Sequence, residues 1–311
     1  MILVFVQVVK MEIKFDSLVW KHHISGLAKT LRLITQNKKG AFGLATLTFY
    51  VIMAVFGPLM VSKSSVVFDL TKRYLPPSLE HPLGTDMFGR DNLAIIILGS
   101  PNILMIAFIG AFFTVGIGVL IGITAGFLEG AVDDTLMFAA DILLTIPIYP
   151  LLIVLSAIIR RTLDPLTLGL LMGSTGWAGL SRAVRSQVLS LKEREFIEAA
   201  KILGLSRWHI IFREIMPNLA PYIAVSTIYS ALGCMGASVG LFMIGLAPFD
   251  PYNWGYQINR ALSVGLTTLL ATRWGILSLI TPTIFIILFT AALVFLVNSL
   301  EIVFNPRLRE D

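Results

Sequence analysis

Few side chains in this sequence are placed to do chemistry. Asp141 is the one acidic residue well inside a predicted span, and an unpaired carboxylate at such a place is costly enough to mark a functional candidate. It lies close to Asp134, near one end of its span, where water or an arginine can reach it. That position predicts support for a gate or for packing rather than contact with a substrate. His22, His23, His81 and His209 fall on separate segments, so no metal site is expected, and the His22–His23 pair reads as an interfacial patch. His81 and Asp86 bracket Pro82 and Gly84 and read as parts of a structured turn. Cys234, the single cysteine, stands in an apolar run and reads as packing; neither a disulfide nor a cysteine zinc site can be built from it. No glycine-rich loop leads into Lys-Ser or Lys-Thr, so the chain is expected neither to bind nor to hydrolyse ATP. No catalytic residue and no bound cofactor are expected.

The elements that hold these residues are apolar. The 311 residues are 56% hydrophobic and 14% charged, with a mean hydropathy of +0.83, the composition of an integral membrane protein. The net charge of +5 reads as basic loop residues at a lipid bilayer, not as a nucleic-acid surface. The first residues, MILVFVQVV, are too short to span and lack the flanks of a signal peptide; Met11 offers a second start.

Residues 1–39 form an N-terminal segment with an interfacial helix, its lysines interleaved with apolar residues. The uncharged stretch 40–62 is the first span, and 63–100 is a polar, proline-bearing outer loop. An uncharged run to Leu128 exceeds one span, so its first part is expected to be a separate interfacial element, broken at Pro101 and Asn102. Span two then covers 103–126, with Gly118, Gly122 and Gly126 permitting close helix contact. Span three runs over 135–159 with a kink at Pro147 and Pro150, span four over 165–180, span five over 215–249 and span six over 274–300. The region 101–300 is thus a five-helix core and 301–311 a tail. Trp254, Tyr256 and Trp274 read as outer interfacial anchors or as a face for a docking protein. With 16 of 24 Lys and Arg on the side of the N-terminus, both termini are expected to be cytoplasmic.

The longest charged insertion of the second half, 190–218, lies on that same side. Ser190 and Glu193 have capping-box spacing, and a helix is predicted over 191–203 with Phe196, Ala199, Ala200 and Leu203 on one side. Gly204 closes it. Ser206 restarts a second helix with Trp208, Ile211, Phe212 and Ile215 on one face, ending at Pro217. Periodicity alone leaves two readings open: an amphipathic loop lying on the membrane, or a soluble handle.

Residue identity goes further. Glu198-Ala199-Ala200, three residues, then Gly204 and later Pro217, resembles the EAA loop of permease subunits in binding-protein-dependent ABC importers. The chain from about residue 30 is similar to the dipeptide, oligopeptide and nickel group of these permeases, nearest the second of the two paired subunits. His81-Pro82-Leu83-Gly84-Thr85-Asp86, Phe88-Gly89-Arg90-Asp91, Asp133-Asp134-Thr135-Leu136-Met137, Asp141-Ile142-Leu143-Leu144 with Pro147, and Trp177, Arg182, Arg185 and Gln187 carry the likeness. So do Pro248, Trp254, Gly255 and Asn305-Pro306-Arg307-Leu308. The chain departs from the pattern at Asn102 and Phe138, in span five around Ala237 and Ser238, and at Asn298, Glu301 and Asn305.

The resemblance implies an all-α permease with six transmembrane helices. It implies a homologous second permease, two ABC ATPase subunits that carry the ATP and magnesium, and an extracytoplasmic binding protein. Glu198, Ala199, Ala200, Gly204 and Pro217 would dock the ATPase, with Ser190, Glu193, Arg182 and Arg185 supporting the loop and Asp141 and Pro147 as a possible gate. Oligopeptides or dipeptides are the implied cargo, with oligosaccharides and nickel as alternatives. A stand-alone secondary transporter is the competing class, and it calls for ionisable groups deep in several spans.

Overall fold

A computed structural model describes residues 30–159, 164–247 and 249–304, and they are helical almost throughout. Residues 1–29, 160–163, Pro248 and 305–311 lie outside them, so most of the N-terminal interfacial segment, the His22–His23 pair and the C-terminal signature are not described.

The chain order is α1 (Lys38–Met60), α2 (Asn92–Leu128), α3 (Gly130–Thr145), α4 (Ile148–Ile159), α5 (Pro165–Lys192), α6 (Glu195–Ile202), α7 (Arg207–Met243), α8 (Trp254–Val264), α9 (Leu266–Ala271) and α10 (Leu277–Phe304). Four of these, α1, α2, α7 and α10, are long and apolar enough to cross a membrane. The pair α3 and α4 makes a fifth if counted as one broken span. α5 has the length, at 28 residues, but its Gly, Ser and Thr content and the cations of its last turns lower its hydropathy.

Three predicted boundaries are corrected. The expected break at Pro101 and Asn102 does not occur: α2 is a single helix of 37 residues with Pro101 inside it. Pro101 has no N–H to give to the carbonyl of Ile97, and the Ser100 hydroxyl donates to that carbonyl instead at 2.7 Å. The early turns of α2 are also covered by protein, with Ile95 and Ile96 fully buried, so the helix has no reason to stop there. Second, the expected kink in span three is a 90° break, and Pro147 stands at it because the residue before a proline is pushed out of the α region. Third, α5 runs to Lys192, α7 begins at Arg207 and α10 ends at Phe304.

The centre of the molecule is the α2–α5 pair. A Cβ at Gly122 would lie 2.6 Å from the Ser181 carbonyl, and one at Gly126 2.9 Å from the Val188 Cβ. The small residues therefore set the separation of the two helices, as their spacing predicted. α1 lies on α10 in the same way, Gly43 facing the Ala292 carbonyl. There Tyr50, fully buried, donates from its hydroxyl to the Phe285 carbonyl at 2.6 Å. Cys234 is buried against Gly110.

The polar segment before α2 is built around one ion pair and one histidine–carboxylate hydrogen bond. Asp86 pairs with Arg90, and its carboxylate also accepts from the Phe88 and Arg90 amides. His81 meets Asp91, not Asp86, at 2.8 Å, and Asp91 caps α2 through the Ala94 amide. Trp254 is wholly buried, with its indole N–H donating to the Ile96 carbonyl at 3.3 Å. It is a core residue and neither an interfacial anchor nor a docking face. A tryptophan enters a core when its one donor finds an acceptor.

Candidate functional site

The stretch 190–218 folds into two exposed helical pieces on the ends of α2 and α5. The capping box does not form: Ser190 lies inside α5 and Glu193 is that helix's C-cap residue. α5 packs along α2 to its last turn, and this burial overrides the local start signal. α6 instead begins after Arg194, whose carbonyl accepts from Ile197 at 2.9 Å with no side-chain cap. Glu195 and Glu198 stand in its first turn and Lys201 in its last, each sign at the helix end that favours it.

The face that α6 turns inward shares only Ala200 with the apolar side marked out by its sequence. Ile197 and Ala200 are buried, whereas Phe196, Ala199, Ile202 and Leu203 are exposed, Leu203 to 76%. Ala200 therefore supports the loop from beneath. Ile197 was the residue the sequence reading missed; its signal was the i, i+3 pair it makes with Ala200. Ile197 and Ala200 join Ile210, Ile215 and Leu219 of α7 and Val119, Ile123, Val184 and Val188 of the α2–α5 pair in one apolar cluster.

The turn between the pieces behaves as Gly204 predicts. The Leu205 amide donates to the Ala200 carbonyl at 3.1 Å and the Gly204 amide to that of Lys201 at 3.0 Å, the two bonds of a Schellman motif. Gly204 has φ +72°. Ser206 then caps α7, accepting from the His209 amide at 3.2 Å. Trp208 and Phe212, predicted to share one face with Ile211 and Ile215, are exposed and stack on each other. The second helix does not end at Pro217 as predicted. A π-helical turn at Ile210–Ile215 runs without interruption into Met216–Met243. Pro217 lacks the N–H that a regular helix would direct at the Arg213 carbonyl, and widening the preceding turn avoids the clash of its ring with that carbonyl.

Behind the loop, three ion pairs join α5 to α3 and to Glu129 just before it. Arg185 grips both carboxylate oxygens of Asp133, which is buried; Arg182 meets Asp141, each half exposed; and Lys192 meets Glu129. Lys192 also donates to the Gly126 and Phe127 carbonyls at 3.2 and 3.0 Å, closing the C-terminus of α2. The Lys192 ammonium holds the Glu129 carboxyl below its ordinary value, first by hydrogen bonding and then by charge. Asp141 thus has an arginine partner, one of the two environments its position allowed. The Asp133–Arg185 and Glu129–Lys192 pairs were not predicted, because nothing local in the sequence ties residues so far apart. Among the described residues no three of His, Cys, Asp and Glu converge as metal ligands.

Residues 118–310 match the family described as binding-protein-dependent transport system inner membrane component. The chain is 32% identical over 279 residues to the dipeptide transport system permease protein DppC of Bacillus subtilis, covering 89% of this chain and 85% of that protein. It is 30% identical to the oligopeptide transport system permease protein OppC of Haemophilus influenzae over 89% of this chain and 87% of that one. The Mycobacterium bovis OppC is 29% identical over 78% and 83%. With α2 to α10 providing the multi-pass body and an exposed helical loop on one end of it, this chain belongs to the inner membrane permease components of binding-protein-dependent transport systems, a non-catalytic transport subunit of the membrane.

Proposed function

We propose that this chain is the second permease of an ATP-driven importer of dipeptides or oligopeptides. It has six spans, α1, α2, the broken α3–α4 pair, α5, α7 and α10, with both termini cytoplasmic. It pairs with a homologous permease, is driven by two ABC ATPases that hold the ATP and magnesium, and receives cargo from an extracytoplasmic binding protein. The names of the relatives support peptide cargo.

The observation that carries the coupling is the α6 hinge: a short helix exposed on its outer side, rooted through Ile197 and Ala200, and turned at a left-handed glycine. An ATPase that closes on nucleotide moves a permease only through a stiff element. Glu198 and Ala199 supply the outward contact, Ala200 roots it and Gly204 sets its angle. The continuous helix through Pro217 leads the movement into α7. Arg182 and Arg185, with Ser190 and Glu193 in the last turns of α5, hold the loop against α3, and Asp141 and Pro147 sit where a change in the α3–α4 bend would gate the path.

Co-purification from detergent-solubilised membranes tests this reading, with the tagged chain expressed beside its ATPases and second permease. Wild type is expected to retain the ATPases, and Gly204→Asp and Glu198→Arg to lose them while keeping the second permease. Properly inserted wild type that recruits no ATPase would overturn it.

A further inference from the structure

The packed helices carry glycines of two kinds. Gly118, Gly122 and Gly126 on the facing α2 are required by contacts within the chain. By contrast, Gly179 of α5 and Gly233 and Gly236 of α7 have nothing within 4 Å of where a Cβ would stand. Glycine in a helix interior is destabilising relative to alanine, and nothing among the described residues asks for it at these three places. All three open on one cavity of about 640 Å³ between α5, α7 and the start of α4.

The rest of that wall is mostly apolar, with several hydroxyls set into it. Ser226 is more than nine-tenths buried, lines the cavity and has no hydrogen-bond partner among the described residues. Its neighbour Thr227 shows the usual alternative, donating to the Ile223 carbonyl one turn back at 2.7 Å. The hydroxyls of Tyr149, Tyr222, Tyr229 and Ser230, on the same cavity, are likewise without partners among the described residues. A hydroxyl within a membrane-spanning body is expensive unless something bonds it.

A transmembrane helix from a partner would fill the recess, but its backbone bonds are made internally, so it would meet these hydroxyls only through polar side chains of its own. A nickel ion calls for carboxylate, imidazole or thiolate donors, and of these the wall holds Cys234 alone. An extended peptide brings free N–H and C=O groups at every residue, and the volume lies within the range of small-ligand sites. Building on the peptide-importer reading, we infer that this recess is one wall of the translocation path, where Ser226, Ser230 and the three tyrosines bind the backbone of a short peptide and Gly179, Gly233 and Gly236 leave room for its side chains.

The test uses the complete transporter, with binding protein, in proteoliposomes. Gly236 is replaced by Ala, Leu and Trp in turn, and uptake of labelled trialanine is measured beside recovery of the second permease and ATPases. Graded loss of uptake, at least tenfold by Leu, with full assembly at every size supports the inference. Loss of the second permease at Leu while Ala assembles would make the recess a helix–helix interface and overturn it, as would undiminished uptake at Trp. In a second arm, Ser226→Cys in a Cys234→Ala background is labelled with a hydrophilic maleimide. Slowing by trialanine but not by nickel ion or maltotriose is expected; slowing by maltotriose alone would overturn the peptide assignment. Failure of wild type to recruit ATPases would sink the importer reading itself, a result neither arm can mimic.

Discussion

The two arginine pairs behind the loop differ in burial, and that difference sets a measurable ratio. Asp133 has a side chain 9% exposed and is held at both oxygens by Arg185, itself a third exposed. Arg185→Met leaves that carboxylate buried without its cation. Removing one member of a fully buried pair costs about 3–5 kcal/mol, and the water that reaches Arg185 reduces this to roughly 2–3 kcal/mol. Asp141 and Arg182 are 46% and 50% exposed, so Arg182→Met is expected to cost about 0–1 kcal/mol, the range of surface pairs. The assay is the unfolding midpoint of the purified chain in one detergent, run as a double-mutant cycle. Asp133→Asn combined with Arg185→Met is expected to recover part of the single-variant loss, because the stranded charge is gone. Equal costs for the two arginines, or a double variant that loses the simple sum, would refute the reasoning from burial.

Other perturbations separate elements that look alike in sequence. Gly122→Ala is expected to destabilise, since the added carbon meets the Ser181 carbonyl at 2.6 Å, whereas Gly236→Ala, facing open space, is expected to stabilise by about 0.5–1 kcal/mol; thermal midpoints of the two variants check the opposite signs. Asp250, in the connection between α7 and α8, has its carboxyl pushed up by burial, against hydrogen bonds from the Tyr252 amide and the Asn102 side chain. The folded chain therefore holds this proton more tightly than the unfolded chain does. Its contribution is fully present below the ordinary value of 3.8 and is lost as pH rises through the raised value. Asp250→Asn should flatten the stability profile across that window, and a slope unchanged in the variant would assign it to other groups. Lys192→Met removes the cation that closes α2 and holds Glu129 down; NMR titration of Glu129 should move back toward its ordinary value, and no movement would disprove the contact.

Hydropathy and turn chemistry, both local, made the membrane class, most spans and the Gly204 hinge readable from residues alone. A long uncharged run has one stable environment, and a Schellman turn is built from neighbouring residues. Family likeness then gave the hinge its proposed docking role. What sequence could not supply was every choice between competing local options. The capping signal at Ser190 lost to the packing of α5 on α2, and the stop signal at Pro101 lost to a single donated hydroxyl from Ser100. The face of α6 was decided by which residues met Val184 and Val188. Arg185 and Asp133 are 52 residues apart, and only the folded position of α3 against α5 makes them partners. Helix starts and stops are small local free energies, and burial against a distant segment outweighs them.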